Sequence, residues 1–107
     1  TDNTVVSAMQ TLVAVANTRR VPIFPTVDTM VEQGGLATIG LDQHHLGVLT
    51  GRMLADILSG KTKPATTPIH FETTGKLILN EKQAKLLGID LPSSLIKSAE
   101  AKGTVIK

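Results

Sequence analysis

Short apolar strands alternate with amphipathic helices along this 107-residue chain, and this alternation restricts its fold more than any other feature. The pattern predicts an opening helix over residues 4–18, strands over 21–24 and 36–39, and a longer helix over 43–59. Strands that alternate with helices favour an α/β fold with a parallel sheet. We therefore expect a three-layer sandwich in which helices cover both faces of a parallel sheet.

The last third of the chain predicts a second group of short elements. Residues 69–72 and 76–79 are predicted as two strands with Gly75 in the turn between them. Asn80 is predicted to cap a further helix, because an amide side chain at that position accepts a bond from an early backbone N–H. That helix is predicted to end at Gly88.

A final helix is predicted from residue 92 or 93 to about Lys102. Only two central strands would then support three helices, whereas a typical sheet has about five strands. The chain also opens on a helix that should follow a strand. We therefore expect the sequence to be the later part of a larger α/β protein.

Composition excludes several classes of function. The chain has no Cys, which excludes disulfide scaffolds and cysteine-based zinc sites. Its formal net charge is only +2, and two Phe are its only aromatic residues. Because nucleic-acid binding usually needs a basic surface or stacking aromatics, we expect no nucleic-acid partner. No apolar run reaches the roughly 18–20 residues that a membrane span needs.

Polar residues follow the points where predicted strands end. Asp2 and Asn3 precede the first helix, and Thr26 and Asp28 follow the strand predicted over 21–24. Open α/β sheets bind ligands at this edge, and Asp28 has the charge to pair with a ligand ammonium. All helix starts also need caps. The spacing alone favours capping at the first helix and leaves both interpretations open for Asp28.

No catalytic or metal-binding constellation stands out. His44 and His45 are adjacent, so on a helix their side chains point about 100° apart and do not easily share a metal ion. With no Cys and no acidic residue at a suitable spacing, we expect no metal and no cofactor. The chain also lacks a nucleophile motif and a believable acid pair, so we do not expect an enzyme.

Several strings of the sequence, taken in order, are more specific than these patterns. They are TDNTVVSA at residues 1–8, VPIFP at 21–25, MVEQGGLATIGLD at 30–42, LGVLTGRM at 46–53 and GIDLP at 88–92. As an ordered set they resemble the tryptophan/tyrosine-type substrate-binding proteins of bacterial ABC transporters. The resemblance covers essentially all 107 residues and is to the C-terminal third or so of such a protein.

The resemblance implies a two-lobed receptor with the type I periplasmic-binding fold, in which the ligand lies in the cleft at the carboxyl ends of the strands. It implies that residues 1–40 belong to the C-terminal lobe, that 41–66 contain a helix of the N-terminal lobe, and that 67–107 return to the C-terminal lobe. Gly40 and Asp42 are then the hinge candidates, although Asp42 also fits the cap of the helix that follows it.

The resemblance also implies a ligand, partners and a location. Family members bind aromatic or other hydrophobic amino acids and deliver them to an ABC permease, from the periplasm or the extracellular face of the membrane. A lipid anchor is usual in Gram-positive members. The segments that face the cleft in the family make Asp2, Asn3, Thr26 and Asp28 the predicted ligand-binding residues. Because the chain has two Phe in all, we expect its contacts to be mainly polar.

Two alternatives remain open. A sugar-binding or other small-molecule sensor domain of the same fold would share the helices but prefer stacking aromatics in its cleft. The second alternative is a self-associating fragment without ligand binding, in which the apolar stripe of the 43–59 helix packs against another copy. This homodimer would bury the side chains of Leu46, Leu49 and Met53.

Overall fold

The computed structural model describes residues 2–73 and 75–107. In chain order the elements are α1 (Asn3–Ser7), α2 (Met9–Thr18), α3 (Asp28–Glu32), β1 (Ala37–Leu41), α4 (Gln43–Leu58), β2 (Gly75–Asn80), α5 (Glu81–Leu87), α6 (Ser93–Lys102) and β3 (Thr104–Ile106). A 3-10 turn at Pro64–Thr66 follows α4. This mixture of helices and a small sheet confirms the predicted α/β class.

The chain forms two compact units. The first contains the residues up to Gly40 together with Gly75–Lys107, and the second consists of the residues between them. The chain therefore leaves the first unit after Gly40 and returns to it before Gly75. The predicted lobe boundaries lie after residues 40 and 66, and the assignment of the second unit to another lobe of a receptor stays a prediction.

The sheet of the first unit contains one parallel pair, β2 and β3. Their register places Ile78 opposite Thr104 and Asn80 opposite Ile106. The connection between them contains α5 and α6, and α6 packs against both strands, as a parallel crossover requires. The sequence prediction missed β3, although its Thr-Val-Ile run after Gly103 is typical of a strand.

On the other side of β2 lies β1. Two contacts show that these strands run in opposite directions. At the start of β2, Gly75 lies against the side chain of Ile39, in the middle of β1. At the end of β2, the Asn80 N–H donates to the Leu36 carbonyl, just before β1 begins, at 2.9 Å. The sheet is therefore mixed, and its parallel pair is β2 and β3.

Two predicted strands are wrong. Residues 21–24 and 69–72 have no strand pairing. Both were predicted from β-branched and aromatic side chains, which indicate a strand only where a partner strand lies alongside. In the first segment the Ile23 carbonyl accepts one bond from the Leu36 N–H, at 2.7 Å. The predicted turn at Gly75 is also wrong, because Gly75 begins β2.

The predicted opening helix consists of two helices that meet at Ala8, whose φ of −92° and ψ of 4° interrupt the helical geometry. The Ala8 N–H still donates to the Thr4 carbonyl at 3.1 Å, and the Leu12 N–H donates to the Ala8 carbonyl at 3.0 Å. Of the predicted apolar face, only Met9 is buried in the core. Part of the remainder lines the cavity described below.

The buried core lies in the first unit. Its apolar side chains are Met9, Met30, Val31, Leu36, Ile78, Leu79, Ala84, Leu87 and Ala99. Burying a side chain of the size of Leu79 contributes about 1.5–3 kcal/mol. Met9 and Met30 are core residues, as predicted, whereas Met53 on α4 is half-buried in the second unit.

The Asn80 side chain joins three elements of the core. Its Oδ1 accepts from the Gln83 N–H at 2.8 Å and caps α5, while its Nδ2 donates to the Val31 carbonyl in α3 at 2.8 Å. The Gln83 Nε2 donates in turn to Asn17 Oδ1 in α2 at 2.6 Å. The predicted cap is thus confirmed, as is the helix end at Gly88, which adopts a left-handed φ of 72°.

In the second unit, α4 has no buried residue. Asp42 caps it, because its Oδ1 accepts from the His45 N–H at 2.9 Å. The His45 Nε2 lies 3.4 Å from Oε2 of Glu72, whose side chain is only 7% exposed. The three side chains that a second copy is predicted to cover are half-buried: Leu46, Leu49 and Met53. Their burial in a homodimer stays a prediction.

Replacing Asn80 separates its two roles. Asn80→Ala removes the cap of α5 and the Nδ2 bond to the Val31 carbonyl, each worth about 1–1.5 kcal/mol, although that carbonyl still accepts from the Gly34 N–H at 3.2 Å. We expect it to lower the free energy of unfolding by about 2–3 kcal/mol in urea denaturation of the full-length protein. Asn80→Ser keeps a capping oxygen and should lose about 1–2 kcal/mol. Equal losses in the two variants would contradict the two-role account.

Candidate ligand-binding site

A cavity of about 290 Å³ lies within the first unit, beside the N-terminus of α1. Its lining comes from α1, α2, α3 and the segment that precedes α3: Asp2, Val5, Val6, Leu12, Ile23, Phe24, Pro25, Thr26 and Met30. Most of these residues are apolar, and Asp2 and Thr26 are the polar residues among them. A pocket of mainly apolar lining with a few polar groups is typical of a small-molecule site, and this volume suits a ligand of amino-acid size.

Asp2 has a local structural role as well as a place in the cavity lining. Its Oδ1 accepts from the Thr4 N–H at 2.8 Å and from the Val5 N–H at 3.3 Å, so the predicted capping of α1 is confirmed. The Val5 N–H, and then the Thr4 N–H, hold the pKa of Asp2 below its ordinary value of 3.8, because both bonds favour the ionised carboxylate. At neutral pH the cavity therefore has a negative charge in its lining.

Thr26 is the second of the predicted ligand-binding residues, after Asp2, that lines this cavity. The segment before it is attached to the sheet, because the Leu36 N–H donates to the Ile23 carbonyl at 2.7 Å. Phe24, Pro25 and Thr26 directly follow Ile23 in the sequence, and all three line the cavity. Thr26 is exposed, so its hydroxyl is accessible to a ligand.

The other two predicted ligand residues are not part of the lining. Asn3 begins α1, where its carbonyl accepts from the Ser7 Oγ at 2.8 Å. Asp28 begins α3, and its Oδ1 accepts from the Thr29 N–H at 2.8 Å. An acidic residue in the first turn also interacts favourably with the helix dipole. The structure thus gives Asp28 a local role in α3, and ligand contacts by Asn3 and Asp28 stay predictions.

The sequence prediction missed the apolar part of the lining. Three of these side chains are unusually exposed for their type: Val5 at 50%, Leu12 at 44% and Phe24 at 65%. Helical periodicity predicted that Val5 and Leu12 lie in the core, and Phe24 was predicted to belong to a buried strand. Their position in the sequence could have identified them as lining residues. Val5 closely follows Asp2, and Phe24 directly precedes Pro25 and Thr26.

The two hinge candidates lie where the chain passes between units. Gly40 is buried in β1 and is the last residue of the first unit before the chain enters the second. Asp42 follows, and its bond from the His45 N–H holds the pKa of this carboxyl below 3.8. The capping interpretation of Asp42 is therefore confirmed, and a hinge motion at either residue stays a prediction.

Two other features are absent from the part of the chain that the structure describes: a metal-binding cluster and a membrane-spanning helix. Within residues 2–73 and 75–107, no group of three or more His, Cys, Asp or Glu is placed to hold a metal ion. Over the same residues, no helix combines the length and the apolar character that crossing a membrane demands.

The family follows from comparison with known proteins. The family model described as ABC transporter substrate binding protein matches residues 1–102, and the chain therefore belongs to this family. A tyrosine-binding protein of Clostridioides difficile (strain R20291) is 33% identical over 87 residues, which is 81% of this chain and 25% of that protein. The predicted family resemblance is thus confirmed.

Solved structures confirm the fold class. An ABC domain from Streptococcus pneumonia, in complex with L-Trp, has a TM-score of 0.79 and 46% identity over 98% of this chain and 35% of its own. A conserved domain protein from Vibrio cholerae O1 biovar El Tor strain N16961 has a TM-score of 0.77 and 32% identity over 99% of this chain and 34% of its own. The chain thus spans a quarter to about a third of its relatives' length, between 25% and 35%.

The charge of Asp2 should stabilise the fold in a pH-dependent way. Asp2→Asn keeps a capping oxygen but removes the charge. Because the folded pKa lies below 3.8, the ionised carboxylate stabilises the folded state above the unfolded pKa, and this contribution is lost as the pH falls through the lowered folded pKa. We expect the difference in unfolding free energy between wild type and variant to be constant near neutral pH and to vanish in strong acid.

Asp42→Asn is the matched comparison, because Asp42 caps α4 in the same manner and its pKa is lowered too. Its stability difference should have the same sign and the same loss in acid. For either variant, a difference that increases as the solution is acidified would contradict the assignment.

Proposed function

We propose that this protein is the solute-binding component of an ABC importer, located outside the cytoplasmic membrane. It binds a hydrophobic or aromatic amino acid between two lobes and delivers it to a membrane permease. Membership of the substrate-binding family supports this role. The observation that carries the proposal is the mainly apolar cavity in which Asp2 and Thr26 supply the polar groups.

The lining of the cavity is complementary to an amino acid. Such a ligand has an ammonium group, a carboxylate and a side chain. The ionised Asp2 attracts the ammonium group, and the Thr26 hydroxyl donates to the carboxylate. The apolar walls from α1, α2 and residues 23–25 receive the side chain. No covalent chemistry is needed, so the protein acts as a receptor and not as an enzyme.

Two relatives support an aromatic ligand. The structure from Streptococcus pneumonia, 46% identical to this chain, is a complex with L-Trp. The relative from Clostridioides difficile is a tyrosine-binding protein. Because each of these relatives aligns with most of this chain, we transfer the class of ligand, an aromatic or other hydrophobic amino acid.

Release to the permease requires two conformations of the receptor. In our proposal the ligand first binds one lobe, and closure of the second lobe completes its polar contacts. The ligand shifts the population towards the closed form because it makes more contacts there. The division of the chain into compact units after Gly40 supports a hinge at Gly40 and Asp42.

Isothermal titration calorimetry of the full-length protein with a panel of ligands tests this function. The panel contains L-Trp, L-Tyr, L-Phe and branched-chain amino acids, with sugars and nucleosides as competing classes. We expect at least one aromatic or branched-chain amino acid to bind with a Kd in the micromolar range or below. Binding of sugars or nucleosides alone would contradict the proposal and favour a sensor of another ligand class.

The same titration identifies the role of Asp2. Asp2→Asn keeps the cap of α1 but cannot attract an ammonium group by charge. We expect it to weaken amino-acid binding by about tenfold, since a hydrogen bond to a charged group is lost. Unchanged affinity would show that Asp2 only caps α1.

A further inference from the structure

We propose that Phe24 is the residue by which this protein selects ligands with an aromatic side chain. The inference rests on the proposed function, because it assigns specificity within the same cavity. Phe24 provides the aromatic ring of the lining, in which the other apolar side chains are aliphatic. It stands directly before Pro25 and Thr26, so the ring and one of the polar groups belong to the same short segment.

The exposure of Phe24 supports a role in binding. Its side chain is 65% exposed although it lies among residues of which Ile23 and Pro25 are half-buried. A phenyl ring left in water contributes little to the stability of the fold, since hydrophobic stabilisation depends on the area removed from water. Phe71 is exposed as well, at 77%, so what distinguishes Phe24 is its place in the cavity lining, where a bound ligand would cover its ring.

The backbone on both sides of Phe24 is fixed. On one side the Ile23 carbonyl accepts from the Leu36 N–H at 2.7 Å. On the other side Pro25 has a restricted φ, and its ring packs so closely on Gly35 that an added Cβ there would lie 2.8 Å from Pro25 Cδ and Cγ. Phe24 is thus presented from a rigid segment, which reduces the entropy lost when a ligand packs against its ring.

The chemistry of the ring explains how it selects. Two aromatic rings attract each other through offset-stacked or edge-to-face contacts, beyond the apolar area they bury. That extra attraction amounts to roughly two- to tenfold in affinity. An aliphatic ligand side chain gains only the area contribution from Phe24, and it gains the same from a leucine at this position. Replacing the ring by leucine should therefore weaken aromatic ligands selectively.

The chain offers a matched control. Phe71 is the other Phe, it is 77% exposed, and it belongs to the second unit and not to the cavity lining. Phe71→Leu makes the same chemical change at a similarly exposed ring. It should leave the affinity for every ligand unchanged.

The test is titration of the full-length wild type, Phe24→Leu and Phe71→Leu with L-Trp, L-Tyr and L-Leu. We expect Phe24→Leu to weaken L-Trp and L-Tyr by about two- to tenfold and to change L-Leu by less than the aromatic ligands. Phe24→Tyr keeps a ring and should retain the aromatic preference. Since Phe24 is exposed, Phe24→Leu and Phe24→Tyr are both expected to fold, and circular dichroism of each variant checks this.

Two outcomes separate this inference from the proposed function. If the wild type binds no amino acid, the proposed function fails. If the wild type prefers L-Trp and Phe24→Leu retains that preference in full, only the assignment of Phe24 is overturned. A Phe24→Leu variant that loses stability but keeps its ligand preference would show that another part of the protein covers the ring.

Discussion

The main chain of Leu36 joins the sheet to the cavity lining, and the position of residues 23–26 depends on it. Its carbonyl accepts from the Asn80 N–H at 2.9 Å, and its N–H donates to the Ile23 carbonyl at 2.7 Å. Leu36 itself is buried, with 4% exposure, so water does not compete easily for these bonds. Through this residue the end of β2 fixes the segment that presents Phe24 and Thr26.

Local signals in the sequence predicted the helices well. The caps at Asp42 and Asn80 and the left-handed Gly88 depend only on residues a few positions away, and the structure has all three. The strands were harder, because a strand exists only when a partner lies alongside it. Residues 21–24 have strand-like composition without that partner, whereas the missed strand β3 is three residues long and pairs with distant β2.

The polar half of the site was easier to predict than the apolar half. Spacing alone favoured capping for Asp2, and the family resemblance made Asp2 and Thr26 predicted ligand residues; both line the cavity. Periodicity assigned the apolar face of the first helix to the core, yet that face is shared between two environments. Met9 is fully buried, while Leu12 lines the cavity and is 44% exposed. Periodicity identifies which side chains share a face and does not distinguish a core from a pocket wall.

In the proposed function this cavity, with its apolar wall and the charge of Asp2, holds an amino acid. A crystal structure of the full-length protein with L-Trp tests it most directly. We expect an indole ring packed against Phe24 and an ammonium group within hydrogen-bonding distance of the Asp2 carboxylate. An L-Trp molecule bound elsewhere, with this cavity filled only by water, would contradict it.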